Sequence, residues 1–169
     1  MDQDFLPPDV RHEIISHALE WSFQPGELLI VQDCQPTCLI LLAGGDVQVE
    51  VREKNSGVSV LARRSAGSIV GEMSLLIGIP RTALARAITP VNAWLLPTGE
   101  YYDLARRFPA LEPTLMRLAI NKLGNSYKDH FAERRYSDLF WRAALAVESN
   151  GLSNTRALKF VRRAWKRNA

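Results

Sequence analysis

Between Trp21 and about Leu96 the chain is interrupted roughly every ten residues by a turn signal: Pro25-Gly26, Asp33 to Pro36, Gly44-Gly45, Lys54-Asn55-Ser56-Gly57 and Ser65-Ala66-Gly67. That punctuation restricts the stretch to short strands. The clearest is Val47-Gln48-Val49-Glu50-Val51-Arg52, whose strict alternation predicts valines facing a core and polar partners facing water. With Val58-Ser59-Val60 beyond the Asn-Ser-Gly turn it predicts a hairpin. Strands spaced in this way build an antiparallel sandwich, roll or barrel, and nothing in the stretch asks for a parallel sheet.

Helical spacing flanks the strand region. Pro7-Pro8 followed by Val10, Ile14, Ile15 and Leu19 predicts a short opening helix over Asp9 to Leu19. After Pro97 a short helix is expected from Gly99 to Arg107, ending before Phe108-Pro109, and a longer one from about Ala110 to Arg134. The longer helix carries two apolar stripes, Leu111, Leu115 and Leu118 on one face and Met116, Ile120, Leu123, Tyr127 and Phe131 on another. One stripe can pack on the sheet. The second calls for a protein partner, a second copy of the chain, or the fold-back of Ser137 to Glu148, which is apolar nearly all round. Beyond a loop at Ser149 to Asn154, Thr155 to Arg167 reads as a cationic amphipathic helix with Leu158, Val161 and Trp165 on its apolar side. Its basic face is either simply solvated or a contact for nucleic acid or an acidic partner. The chain thus divides into a main unit, 1–134, and a helical extension, 135–169.

Composition excludes several classes. With 169 residues, 47% of them hydrophobic and 23% charged, the chain can bury a core and is not a disordered polymer. No apolar run approaches the ~18 residues that a membrane span requires, and the start of the chain lacks a basic stretch and apolar core typical of a signal peptide. The expected location is cytoplasmic. Six positive and no negative charges fall in the last fifteen residues, against +3 for the whole chain, so basicity belongs to the tail and the body is net acidic. Cys34 and Cys38 lack the companions of a four-ligand metal site and read as a loop thiol and a buried strand thiol. His12, His17 and His130 have no spacing to carboxylates or cysteines that suggests a triad or a metal centre, so no catalytic residue and no metal are expected.

Chemistry concentrates in Gly71-Glu72-Met73-Ser74-Leu75-Leu76 and, after Ile77-Gly78-Ile79, in Pro80-Arg81-Thr82-Ala83. The Arg81 guanidinium offers the planar, two-pronged donor set that suits a phosphate, and Thr82 beside it adds a hydroxyl. Gly71 permits close backbone approach at a strand end, and the residues after it can begin a helical turn. Glu72 would repel an anion unless it accepts from a sugar hydroxyl and is oriented by a cation of its own. Pro80 restricts the chain where it re-enters a strand. A cyclic ribose phosphate meets all of these requirements.

This run resembles the phosphate-binding cassette of the cyclic-nucleotide-binding domain family, which includes catabolite activator proteins, cyclic-nucleotide-gated channels and regulatory subunits of protein kinase A. The likeness extends to Pro25-Gly26-Glu27, the Leu39-Ile40-Leu41-Leu42 strand closing at Gly45, Gly67, and Leu115-Met116-Arg117-Leu118 at the start of the long helix. It covers residues 10 to about 134. Val70 stands where the family often has an aromatic residue, and Leu84-Ala85 replaces a more usual Ser/Thr-Val.

The resemblance implies an α+β fold, an antiparallel β-roll (a jelly-roll-like double-stranded β-helix) with an N-terminal helix and C-terminal helices. It implies a ligand, cAMP or cGMP, with no further cofactor. Glu72 would bind the ribose 2′-hydroxyl, Arg81 and Thr82 the cyclic phosphate, and the amides of Gly71, Glu72, Met73 and Ser74 the remaining oxygens, with Ala83 completing the motif. Asp129 and His130 fall where relatives contact the base. Only about 35 residues follow Arg134, too few for a DNA-reading winged helix. The function expected is that of a sensor that relays ligand binding through its C-terminal helices. The alternatives are a degenerate domain serving as a protein-interaction scaffold, or a truncated regulator with a nucleic-acid-contacting tail.

Overall fold

The structure is a computed structural model that describes residues 6–53 and 57–129. It opens with α1 (Pro8–His17) and continues through β1 (Leu19–Phe23), β2 (Leu28–Ile30), β3 (Cys38–Gly44), β4 (Val47–Glu53), β5 (Gly57–Arg64) and β6 (Ile69–Val70). A short helix, α2 (Glu72–Ile77), interrupts the strands before β7 (Leu84–Ala87) and β8 (Val91–Pro97). Two helices follow, α3 (Thr98–Arg107) and α4 (Leu111–Asp129). The strands form two four-stranded sheets, ordered β1-β8-β3-β6 and β2-β7-β4-β5, with every pairing antiparallel. This is the expected β-roll, with one helix before the strands and two after them.

The run Leu39-Ile40-Leu41-Leu42 explains how the layers stack. All four side chains are buried, because successive strand residues point to opposite faces and both faces of β3 are covered. Ile40 and Leu42 join Val47, Val70, Ala85 and Ala93 in the core between the sheets. Leu39 and Leu41 face the other way, into a second core made with Val10 and Ile14 of α1, Leu104 of α3 and Leu111, Leu115 and Leu118 of α4. One stripe of α4 therefore packs on the first sheet, as its spacing implies. Met116 and Ile120 of the second stripe are buried as well.

Three expectations need correction. Leu19 is not the end of the opening helix: α1 stops at His17, Ala18 is extended, and Leu19 pairs with Leu95 of β8 while its side chain stays 64% exposed. Strand pairing outweighs the helical spacing at that point. Glu50, expected to face water, is buried; it accepts from Gln48 Nε2 at 3.0 Å and lies 3.5 Å from Arg86 of the neighbouring strand. Buried carboxylates persist only with such partners. Cys38 opens β3 and is half-buried rather than buried, whereas Cys34 is exposed in the loop before it.

The β4–β5 hairpin forms with Val51 opposite Ser59 and Arg52 opposite Val58. Its ladder slips where Val49 pairs with Ala62 but Glu50 pairs with Val60, leaving Leu61 as an extra residue. Such a bulge turns adjacent side chains to one side of the strand. The proposed extension 135–169 with its two helices and loop, His130, and Phe131 of the second stripe lie outside the described residues. So do the side chains of Leu123, Tyr127 and Asp129. Among the described residues no helix is long and apolar enough to cross a membrane.

Candidate functional site

The site grows out of the step from β6 into α2. Gly71 caps α2 in the left-handed region, φ 86°, ψ 7°, which a glycine adopts without penalty. Space gives a second reason for glycine here. A Cβ at this position would lie 2.5 Å from Arg81 Nη1 and 3.0 Å from Ile30 Cδ1. The six-residue helix ends at Gly78, also left-handed, whose N–H donates to Ser74 O at 3.0 Å. Glu72 at its first turn and Ser74 are both buried. Ser74 Oγ donates to Pro80 O at 3.4 Å and so ties the helix to the segment that returns towards β7.

Arg81 is 5% exposed and is held from several directions. Its N–H donates to Cys34 O at 2.8 Å, and its carbonyl accepts from Asp33 N–H at 2.8 Å. The guanidinium donates from Nη1 to Gly71 O at 2.7 Å and from Nη2 to Cys38 O. Both acceptors are main-chain carbonyls; neither is a carboxylate. Burial pulls the guanidinium below its ordinary range, and the Cys38 thiol and the Glu72 carboxylate nearby partly offset this. The charge nevertheless persists, since arginine does not lose its proton in proteins. A desolvated cation bonded only to neutral dipoles, with three of its five N–H groups unused by those bonds, is prepared for an anion.

Glu72 does acquire the cation that its position demands. Lys122, from the middle of α4, donates Nζ to Glu72 Oε1 at 2.8 Å and also to Ile69 O. Both side chains are sequestered, Lys122 at 11% and Glu72 at 4% exposure.

Gly71, Glu72, Met73, Ser74, Arg81, Thr82 and Ala83 all line one solvent-open cavity of about 130 Å³. The seven residues of the cassette therefore meet in one place. The cavity wall also includes residues that the motif did not reveal: Ile30, Val49, Leu61, Ala62 and Arg64 from the strands, and Ala119 and Lys122 from α4. The bulge accounts for Leu61 and Ala62 contributing side by side. Lys122 carried a faint signal, a lysine at helical spacing from the buried Leu118 and Ala119. Neighbouring the cavity, the walls are mostly apolar while Arg81, Glu72, Lys122 and Thr82 supply polar groups, the usual make-up of a small-molecule site.

Comparison with known proteins agrees with this geometry. The family model described as "Cyclic nucleotide-binding domain" matches residues 20–108, more than half of the chain. The acetyltransferase Pat of Mycolicibacterium smegmatis is 31% identical over 100 residues, 59% of this chain and 29% of that protein. The cGMP-dependent protein kinase egl-4 of Caenorhabditis elegans is 29% identical over 96 residues, 57% of this chain and 11% of the kinase. The chain thus spans less than a third of the length of these relatives. Among solved structures, the catabolite activator protein of Thermus thermophilus superposes with a TM-score of 0.65 at 26% identity, covering 73% of this chain and 58% of that one. A cyclic nucleotide-binding domain from Methylobacillus flagellatus gives a TM-score of 0.65 at 25% identity, covering 75% and 73%. Fold, cassette and family match coincide: the chain belongs to the cyclic nucleotide-binding domain family, whose modules are regulatory rather than catalytic.

Proposed function

We propose that the cavity binds a cyclic mononucleotide, cAMP or cGMP, and that the domain is a cytoplasmic sensor that passes the binding event to its C-terminal helices. The observation that carries this reading is the buried guanidinium of Arg81, bonded only to carbonyl groups and sharing one cavity with Glu72. In the proposed complex the cyclic phosphate takes the remaining donors of Arg81 and the hydroxyl of Thr82. Glu72 accepts from the ribose 2′-hydroxyl, and the main chain around Gly71 to Ser74, with Ala83, completes the cradle. The base lies towards Val49, Leu61 and Ala62. Because Ala119 and Lys122 of α4 form part of the wall, a ligand there biases how that helix packs, which is the physical basis of a relay.

Calorimetric titration with cAMP and with cGMP tests the reading. Saturable binding of at least one nucleotide is expected, with Arg81→Ala weakening it by about 30-fold or more, the range for a lost charge-assisted bond. A second reading is a domain that serves as a protein-interaction scaffold without a ligand. It is favoured by the bonds that Arg81 and Glu72 already make within the protein itself. Absence of saturable binding by either nucleotide up to millimolar concentration leaves that reading alone.

A further inference from the structure

We infer that Gln32, from the loop between β2 and β3, is a positioning residue for phosphate recognition, an assignment that rests on the cyclic-nucleotide reading of the cavity. Its carboxamide takes the place that the main chain of Thr82 would hold beside β4, and so releases Thr82 to the ligand. β7 runs along β4 in a regular antiparallel register, from Val47 opposite Ala87 to Glu50 opposite Leu84. Two residues further on, the same register would set Arg52 opposite Thr82. The ladder stops at Leu84 instead, and Thr82 and Ala83 form a bend that lines the cavity.

A strand that turns away leaves an N–H and a carbonyl of its neighbour to be satisfied elsewhere. Gln32 serves both. Arg52 N–H donates to Gln32 Oε1 at 2.8 Å, and Gln32 Nε2 donates to Arg52 O at 3.1 Å. A side-chain carboxamide offers the same donor and acceptor as a peptide group, so β4 keeps a partner where β7 has left it. The two residues after Gln32 hold the other side of the gap: Asp33 N–H donates to Arg81 O, and Arg81 N–H donates to Cys34 O, both at 2.8 Å. The segment Gln32-Asp33-Cys34 thus grips β4 by a side chain and Arg81 by its main chain, and keeps the residue next to Thr82 off the sheet. Gln32 stands outside the cavity wall; its influence on a ligand passes through Thr82.

The test is a double-mutant cycle of Gln32→Met with Thr82→Val, read by calorimetry on the full chain with cAMP or cGMP, whichever binds more tightly. Both replacements keep the approximate size of the side chain and remove its hydrogen bonding. Thr82→Val alone is expected to weaken binding by about tenfold or more, the range for a bond to a charged acceptor. Gln32→Met alone should weaken it by a similar factor, and in that background Thr82→Val should cost no more than about twofold. Gln32→Glu keeps the acceptor for Arg52 N–H and lacks the donor, so there the cost of Thr82→Val should fall between the two. This arm keeps the test valid if Gln32→Met folds poorly. An affinity that Gln32→Met leaves unchanged overturns the inference and leaves the ligand reading intact. So does a full cost of Thr82→Val in either Gln32 variant, since Gln32 then supports the fold without placing Thr82. A wild type that binds but is indifferent to Thr82→Val overturns it as well. No binding by the wild type overturns the ligand reading itself, and the inference with it.

Discussion

Gly71 and Arg81 exclude any larger residue between them. The left-handed backbone at Gly71 and the 2.5 Å approach of a hypothetical Cβ to Arg81 Nη1 are independent obstacles. Gly71→Ala should therefore lower stability by about 1–2 kcal/mol through backbone strain. It should also push the guanidinium off Gly71 O and weaken nucleotide binding. Thermal unfolding and calorimetry measured on the same variant separate the two effects, and unchanged affinity would mean that Arg81 has room the structure does not suggest. At this scale the sequence was informative where chemistry is local. Glycine, carboxylate and arginine in one short run declare themselves by type and spacing. Lys122 and Glu50 did not, because each owes its state to a partner remote in the chain, and alternation alone cannot tell a solvated carboxylate from one enclosed by Gln48 and Arg86.

Elements decide how these residues meet. The strands and their antiparallel sense were legible from turn signals, but Leu61 stands out of register in the β4–β5 ladder, and that slip leaves no mark in the pattern of Gly57–Arg64. Nor did the spacing at Leu19 disclose that β8 would claim it as a strand residue. Helix α4 was read correctly as apolar on more than one face, and its Leu111, Leu115 and Leu118 stripe reaches the core shared with α1 and α3. Leu115 is fully buried there. Leu115→Ala should cost about 2–5 kcal/mol in denaturant unfolding. Because α4 brings Lys122 to Glu72, the same variant should weaken nucleotide binding without touching any cavity residue. A variant that loses stability but binds as tightly as wild type would show that the site does not need a firmly docked α4.

Across the whole molecule, two cores share β3, one between the sheets and one beneath the helices. Tyr101, fully buried in the second core, donates its hydroxyl to Glu112 of α4 at 3.3 Å. Burial first, and the Glu112 charge second, raise its ionisation well above the ordinary 10.0. In the unfolded chain the same phenol ionises near that ordinary value. Its contribution to stability is thus complete below about pH 10 and is lost as pH rises beyond it, since the unfolded state then binds fewer protons. Chemical denaturation followed from pH 8 to 11 should show a decline that Tyr101→Phe makes shallower; an equal decline in both proteins assigns it to other groups. The ion pair between residues 72 and 122 bears on how the chain is made. In a polypeptide emerging from the ribosome every strand of the β-roll is made before α4, and until α4 docks Glu72 is a carboxylate without its counter-charge. On the nucleotide reading, the sugar contact is therefore complete only once α4 has been made and has docked.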